Sequence, residues 1–245
     1  MKEEITMYEL IQAAEHTYYI QCPAKMGIWK LNSTDAVLID SGSDKDAGRK
    51  VQKILDAQGR RLSAILNTHA NAGHNGGNAL RNKFLLAQPS DCQPLTAENL
   101  PQGLTILPLP GHFFDMCGFQ TADGVWFLAD CLSGANIVEK YRVNFIYDVA
   151  AYLNTLDKVC SLEGHLFIPA HAEPAEDIRP LARLNRAKVL EICDLVLRFC
   201  GMPISPEDIL QKVFRTTSCP WISTNMFWPA APSAPTSPIC WTRVH

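Results

Sequence analysis

Five times between residues 37 and 171, a run of apolar residues ends on an aspartate or a histidine. The runs are Val37-Leu38-Ile39-Asp40, Ile65-Leu66-Asn67-Thr68-His69, Leu107-Pro108-Leu109-Pro110-Gly111-His112, Phe127-Leu128-Ala129-Asp130 and Phe167-Ile168-Pro169-Ala170-His171. A scaffold that places imidazoles and carboxylates on loops after its strands aims them at one point. A metal ion requires that convergence, because each ligand contributes one bond and the geometry has to close.

The rest of the chain supplies elements that suit such a scaffold. Apolar, β-branched runs between turn residues predict strands at Tyr18–Ile20, Gly27–Leu31, Ala36–Ile39, Ser63–Leu66, Phe84–Ala87, Leu104–Pro108, Val125–Leu128 and His165–Ile168. Helical periodicity falls between them at Asp46–Ala57, Asn75–Arg81 and Val149–Val159. Alternation of this kind implies α/β architecture, with sheet layers covered by helices. Past residue 172 the period becomes helical, from Glu176 to Phe199, with Gly201 and Pro203 as a stop signal. A second helix follows, with Ser205 as N-cap, Pro206 in the first turn, and Glu207 and Asp208 facing the positive end of the helix dipole.

Composition narrows the class. With 245 residues the chain buries one sizeable core. A net charge of -3 and the lack of any Lys/Arg cluster argue against nucleic-acid or anionic-membrane partners. The acidic N-terminus lacks the apolar core of a signal peptide, and no apolar run reaches membrane-spanning length. The expectation is a cytoplasmic protein with a small-molecule substrate or ligand; the oligomeric state is not readable. Nine scattered cysteines without a C-x-x-C pair read as reduced, mostly buried thiols.

The order and spacing of the five motifs, together with Thr68-His69-Ala70-Asn71-Ala72-Gly73-His74, resembles the metallo-β-lactamase-fold hydrolases. Their hallmark is T-H-x-H-x-D-H, then G-H, then an Asp after a buried strand, then a final P-x-H. The resemblance covers about residues 16 to 172. It implies a four-layer αββα sandwich of two mixed sheets with outer helices. His69 and His112 resemble ligands of one metal, His74 and His171 ligands of the other, and Asp130 the bridging carboxylate. Asp40 resembles an aspartate that supports the ligands from behind.

Two positions depart from that pattern. Asn71 stands where the family has its middle histidine, and Gly73 where it has the aspartate that binds metal and positions the attacking water. No catalytic residue is therefore assigned. A neutral amide is a poor ligand for zinc, and glycine offers no side chain. The remaining residues suit one zinc, iron or manganese ion at reduced occupancy, or none. The implied function is weakened or lost hydrolysis of an ester, thioester, lactone or phosphoester. The alternative is a non-catalytic member, ligand-binding or structural, without metal.

Other residues read more plainly. His16 and His165 lie outside the motifs and are structural or exposed. Gly76-Gly77 reads as close helix–strand packing, since it lacks a P-loop's lysine and spacing. Cys131 follows Asp130 and should point to the opposite face, into the core. Tyr141, Asn144 and Tyr147 either shape the substrate mouth, as that segment does in the family, or pack. The domain reading is 1–175 for the metallo-β-lactamase-like unit, 176–220 for a helical extension packed on it, and 221–245 for an atypical Pro/Trp-rich tail. The tail shows neither helical nor strand periodicity. Loss of one C from a CCC codon at Pro220 would make it a frameshift remnant, because permitted synonymous codons let the restored frame encode a proline-free helical pattern; the competing reading is a genuine Pro/Trp-rich binding tail.

Overall fold

Residues Ala36 to Ile39 are all buried, yet alternate side chains enter different cores: Val37 and Ile39 one, Ala36 and Leu38 another. A strand buried on both faces belongs to a sheet lying between two other layers. The computed structural model describes residues 7–78, 92–96, 98–142, 145–218 and 240–243. Its strands are β1 (Glu9–Gln12), β2 (Thr17–Gln21), β3 (Met26–Lys30), β4 (Asp35–Ile39), β5 (Arg61–Leu66), β6 (Cys92–Pro94), β7 (Leu104–Pro108), β8 (Cys117–Thr121), β9 (Val125–Phe127), β10 (Leu166–Ile168) and β11 (Cys240–Arg243). The helices are α1 (Lys45–Ala57), α2 (Ala72–Asn75), α3 (Ala135–Tyr141), α4 (Val149–Cys160), α5 (Arg179–Phe199) and α6 (Pro206–Thr217).

Two mixed sheets result, one ordered β1-β2-β3-β4-β5-β11-β6 and the other β10-β9-β8-β7. Three cores separate four layers. The first lies between α1 and the larger sheet, where Val51 and Leu55 meet Ile28, Leu38 and Ile65. The second lies between the sheets, where Trp29, Val37 and Leu66 face Phe119, Val125 and Phe127. The third lies under the far helices, where Trp126 and Phe167 meet Tyr152, Leu156, Ala182 and Val189. The expected αββα sandwich is the observed one.

Strand direction brings the loops of interest together. β4 and β5 run parallel, with α1 as the crossover between them, and β9 and β10 run parallel in the other sheet. β7 runs antiparallel to β8, and β8 antiparallel to β9, so β7 shares the direction of β9. Residues that follow these strands therefore emerge at a common edge of each sheet.

Several elements differ from expectation. β1, β8 and α3 were not anticipated: β1 is a polar edge strand, ELIQ, and β8, CGFQT, carries a glycine that blurs its alternation. The helical turn near His74 begins at Ala72, before the expected Asn75. α5 begins at Arg179 and not Glu176, because Pro180 fits only in a first turn. Residues 240–243, read as lacking strand periodicity, pair antiparallel with both β5 and β6. A strand inserted between two others is held by its backbone and needs no alternating pattern. The expected strand Phe84–Ala87, residues 79–81, Asn144 and residues 221–239 lie outside the described residues.

Gly27 in β3 sets the spacing between the sheets, since a Cβ there would lie 2.7 Å from the Phe127 ring of β9. Gly27→Ala should lower stability by about 1–3 kcal/mol, the usual cost of overpacking a core. Urea unfolding checks it, and an unchanged midpoint would contradict the close approach of the sheets.

Candidate metal centre

Asp40 follows β4 with a left-handed backbone, φ 59, which turns its carboxylate under the next loop. Its Oδ1 accepts from the Thr68 amide at 2.8 Å, and its Oδ2 accepts from the Thr68 hydroxyl at 2.9 Å and from His74 Nδ1 at 2.7 Å. The Thr68 hydroxyl has one proton and gives it to Asp40, so its oxygen accepts from His69 Nδ1 at 2.9 Å. One carboxylate therefore orients two imidazoles. The His74 carbonyl is itself tied down by the Ser41 amide at 2.7 Å and by Asn67 Nδ2 at 3.0 Å.

The other two histidines are held by backbone oxygens. His112 Nδ1 donates to Phe145 O at 2.9 Å, and His171 Nδ1 donates to Pro23 O at 2.8 Å. Carboxylate, carbonyl and occupied hydroxyl oxygens only accept, so all four rings carry their proton on Nδ1. In the neutral imidazole each Nε2 therefore keeps the lone pair, the form that binds metal. These atoms surround Asp130: His74 and His171 lie 3.1 and 3.4 Å from Oδ1, and His112 and His69 lie 3.5 and 3.8 Å from Oδ2. Asp130 follows Ala129, whose left-handed φ of 51 costs about 1 kcal/mol for a residue with a Cβ.

Every expected ligand thus reaches one site. Two triads have ligand atoms within 4.8 Å of one another: His69, His112 and Asp130, and His74, Asp130 and His171. His69 and His74 form the buried floor, and the side chains of His112 and His171, 16% and 37% exposed, form the open rim.

The donor set fits a metal ion. His69 Nε2 and Asp130 Oδ1 are buried without a hydrogen-bond partner among the described residues. His74 and His171 approach Oδ1 closely, yet neither is aligned to hydrogen-bond it. Groups arranged this way point at a shared position and not at each other. Imidazole nitrogens and a carboxylate oxygen are what zinc, iron or manganese select.

Without an ion the charges settle unevenly. Burial would raise the Asp130 carboxyl, but the contacts of His171 and His74 outweigh it and hold it well below its usual range. Burial opposes charge on His74, yet Asp40 and Asp130 lift it to about 10. Burial, with the neighbouring charge of His74, lowers His69 to about 4. His112 is lowered by burial, and His171 is raised by its contact with Asp130.

The two departures also sit at the site. Asn71 Nδ2 lies 3.5 Å from His112 Nε2, on the side of the first triad. Gly73 faces open space, with no atom within 4 Å of where a Cβ would be. Gly76 and Gly77 are packing glycines, since a Cβ on either would lie 2.0 Å from a backbone oxygen, of Ser43 or Ser41. Cys131 is buried in the outer core, where burial holds its thiol far above the ordinary range. His16 is about half exposed, with its ring against Trp29, and His165 is exposed.

Sequence reasoning missed two supports. Asn185 in α5 is fully buried, donates to Ser133 O at 2.9 Å and accepts from Ser133 N at 3.0 Å; Ser133 in turn bridges to His171. The signal was a polar residue on the buried stripe of a helix, three residues after Ala182 and four before Val189. Lys25 is buried, its amide donates to Ala170 O and its Nζ donates to Ala172 O at 2.8 Å, clamping the His171 loop from both sides. Nothing in its local sequence marked it.

Comparison with known proteins bears on the fold that carries this site. The sequence profile of the metallo-β-lactamase superfamily matches residues 28–80. That segment runs from β3 through His69 and His74. A search of curated proteins finds no match. Similar solved structures include the metallo-β-lactamase FIM-1 from Pseudomonas aeruginosa in its mono-zinc form, at 14% identity and TM-score 0.60, covering 76% of this chain and 96% of that one. A metallo-β-lactamase from Hirschia baltica shows 15% identity and TM-score 0.58, covering 75% and 98%. A metallo-β-lactamase family protein from Thermus thermophilus shows 15% identity and TM-score 0.59, covering 81% and 87%. At these identities the likeness is one of fold. Among the described residues, no helix is long and apolar enough to cross a membrane.

The space at residue 73 can be tested by stability. Gly73→Asp should change unfolding free energy by no more than about 0.5 kcal/mol, as for an open surface position. Gly76→Ala should cost about 1–3 kcal/mol or more. Equal losses in urea unfolding would contradict the packing assigned to the two glycines.

Proposed function

We propose that this chain is a single-metal member of the metallo-β-lactamase superfamily, with weak residual hydrolysis of an ester, thioester, lactone or phosphoester. The observation that carries the reading is the set of four inward Nε2 lone pairs around a partnerless carboxylate oxygen. The ion is assigned to His74, Asp130 and His171. The shorter distances are on that side, Asp40 stands behind His74, and the place of the missing ligand at Gly73 is open to solvent. On the other side, the Asn71 amide nitrogen faces His112 Nε2, directing a donor at an atom that a metal would need as an acceptor.

A bound zinc, iron or manganese would supply Lewis acidity and a nucleophile at neutral pH. The chain's residues do the rest. Asp40 and the Pro23 carbonyl hold His74 and His171 in the ligand tautomer. Asp130 brings negative charge to a floor that the buried rings keep dry. His112 and His171 at the rim leave an entrance for substrate. No side chain at position 73 orients the attacking water, which is why hydrolysis is expected to be slow. The proposed setting is the cytoplasm, with a small molecule as partner.

The metal-free alternative has one observation in its favour. His74 lies between Asp40 and Asp130, at 2.7 and 3.1 Å, and a protonated imidazole there offsets both carboxylates. Such a pocket persists as a structural or ligand-binding relic.

Restoring the missing groups separates the two readings. The double variant Asn71→His with Gly73→Asp should gain about 10²-fold or more in hydrolysis of generic thioester or phosphodiester substrates, the scale of a lost positioning or acid–base group. It should also bind a second ion. A double variant that folds but binds no ion and shows no hydrolysis would contradict the metal reading and favour the metal-free one.

A further inference from the structure

We infer that an aromatic ledge beside His112 selects substrates carrying a flat aromatic group next to the scissile bond. This rests on the single-metal reading of the same pocket and adds the class of molecule it takes. Phe114 and Phe145 are each 45% exposed, a large share for phenylalanine, and both lie at the rim of the site. The Phe145 ring stands edge-on to His112, with centroids 5.7 Å apart, and edge-on to Tyr147 at 5.2 Å. Tyr147 meets Phe114 at 4.3 Å and the buried Phe113 at 5.7 Å, and Phe113 meets His69 at 5.7 Å. The rings form one continuous surface from His69 and His112 to solvent.

The surface is built to hold its shape. Gly111 O accepts from the amides of Tyr147 at 2.8 Å and Asp148 at 3.1 Å, and Phe145 O accepts from His112 Nδ1. These three bonds pin the Phe145–Asp148 segment to the His112 loop, so the ledge and His112 are one unit. Gly111 is required there: its φ is +127, and a Cβ would lie 2.4 Å from the Tyr152 backbone. Exposed aromatic rings fixed beside a polar site mark a place where an apolar part of a ligand is buried. Edge-to-face and tilted rings leave both faces and edges to pair with another ring, the geometry aromatic groups prefer over an alkyl chain.

The test compares binding of benzohydroxamate, heptanohydroxamate and acetohydroxamate by titration calorimetry, with and without one equivalent of zinc, in the wild-type chain and in Phe114→Ala with Phe145→Ala. Zinc uptake is measured on the same samples, so failure of the metal reading is seen separately. The wild type should prefer benzohydroxamate over both alkyl compounds by about tenfold, from burial of one ring. The double variant should lose that preference while its affinity for acetohydroxamate stays the same. Both side chains are half exposed, so the variant should fold, and Tyr147→Phe, which keeps the ring, should retain the preference. A wild type that binds heptanohydroxamate as well as benzohydroxamate, or shows no preference with or without zinc, overturns the inference. So does a preference that survives loss of both rings.

Discussion

The Asp130 carboxylate at the meeting point of four histidines is the contact on which the rest of this structure depends. A buried carboxylate is costly unless neighbours balance it. Here the balance comes from three loops, after β5, β7 and β10, in both sheets, so the sandwich must assemble before the site exists. The outer hydrogen bonds explain why the rings keep their aim. Asp40, the Thr68 hydroxyl, Phe145 O and Pro23 O each fix one Nδ1, leaving every Nε2 turned inward. The backbone accepts left-handed φ angles at Asp40 and Ala129 to place the two carboxylates.

Positions 71 and 73 differ in their surroundings. Gly73 faces open space, which a longer side chain could fill. Asn71 brings its amide nitrogen to 3.5 Å from His112 Nε2. The pocket is therefore asymmetric: one triad has a histidine backed directly by Asp40, while the other has a neighbouring amide. The aromatic rings lie on the amide-bearing side, beside His112.

Much of this was legible in the sequence because it is local. Val37 to Ile39 alternates between cores, and an apolar run ending in Asp or His is visible without coordinates. The same locality made the ligand positions readable, and the structure gathers them in one place. What escaped was non-local. Asn185 holds Ser133, the bridge partner of His171, across 52 residues, and Lys25 grips Ala172 across 147. Neither partner is near in sequence, so no spacing announces the contact. β8 was hidden by its glycine, Gly118, which lies under Leu109 and leaves the Phe127 carbonyl 2.8 Å from a would-be Cβ. The ledge escaped for a related reason, since Phe114 joins Tyr147 and Phe145 only when the loops after β7 and α3 are brought together.

The central claim is that one ion is held, and by one particular triad. Titration calorimetry of the metal-free chain with zinc tests it directly, run beside His171→Ala and His112→Ala. The account predicts one equivalent bound by the parent, binding abolished or weakened at least tenfold in His171→Ala, and binding retained in His112→Ala. Two equivalents in the parent, none at all, or loss in His112→Ala with retention in His171→Ala would contradict it.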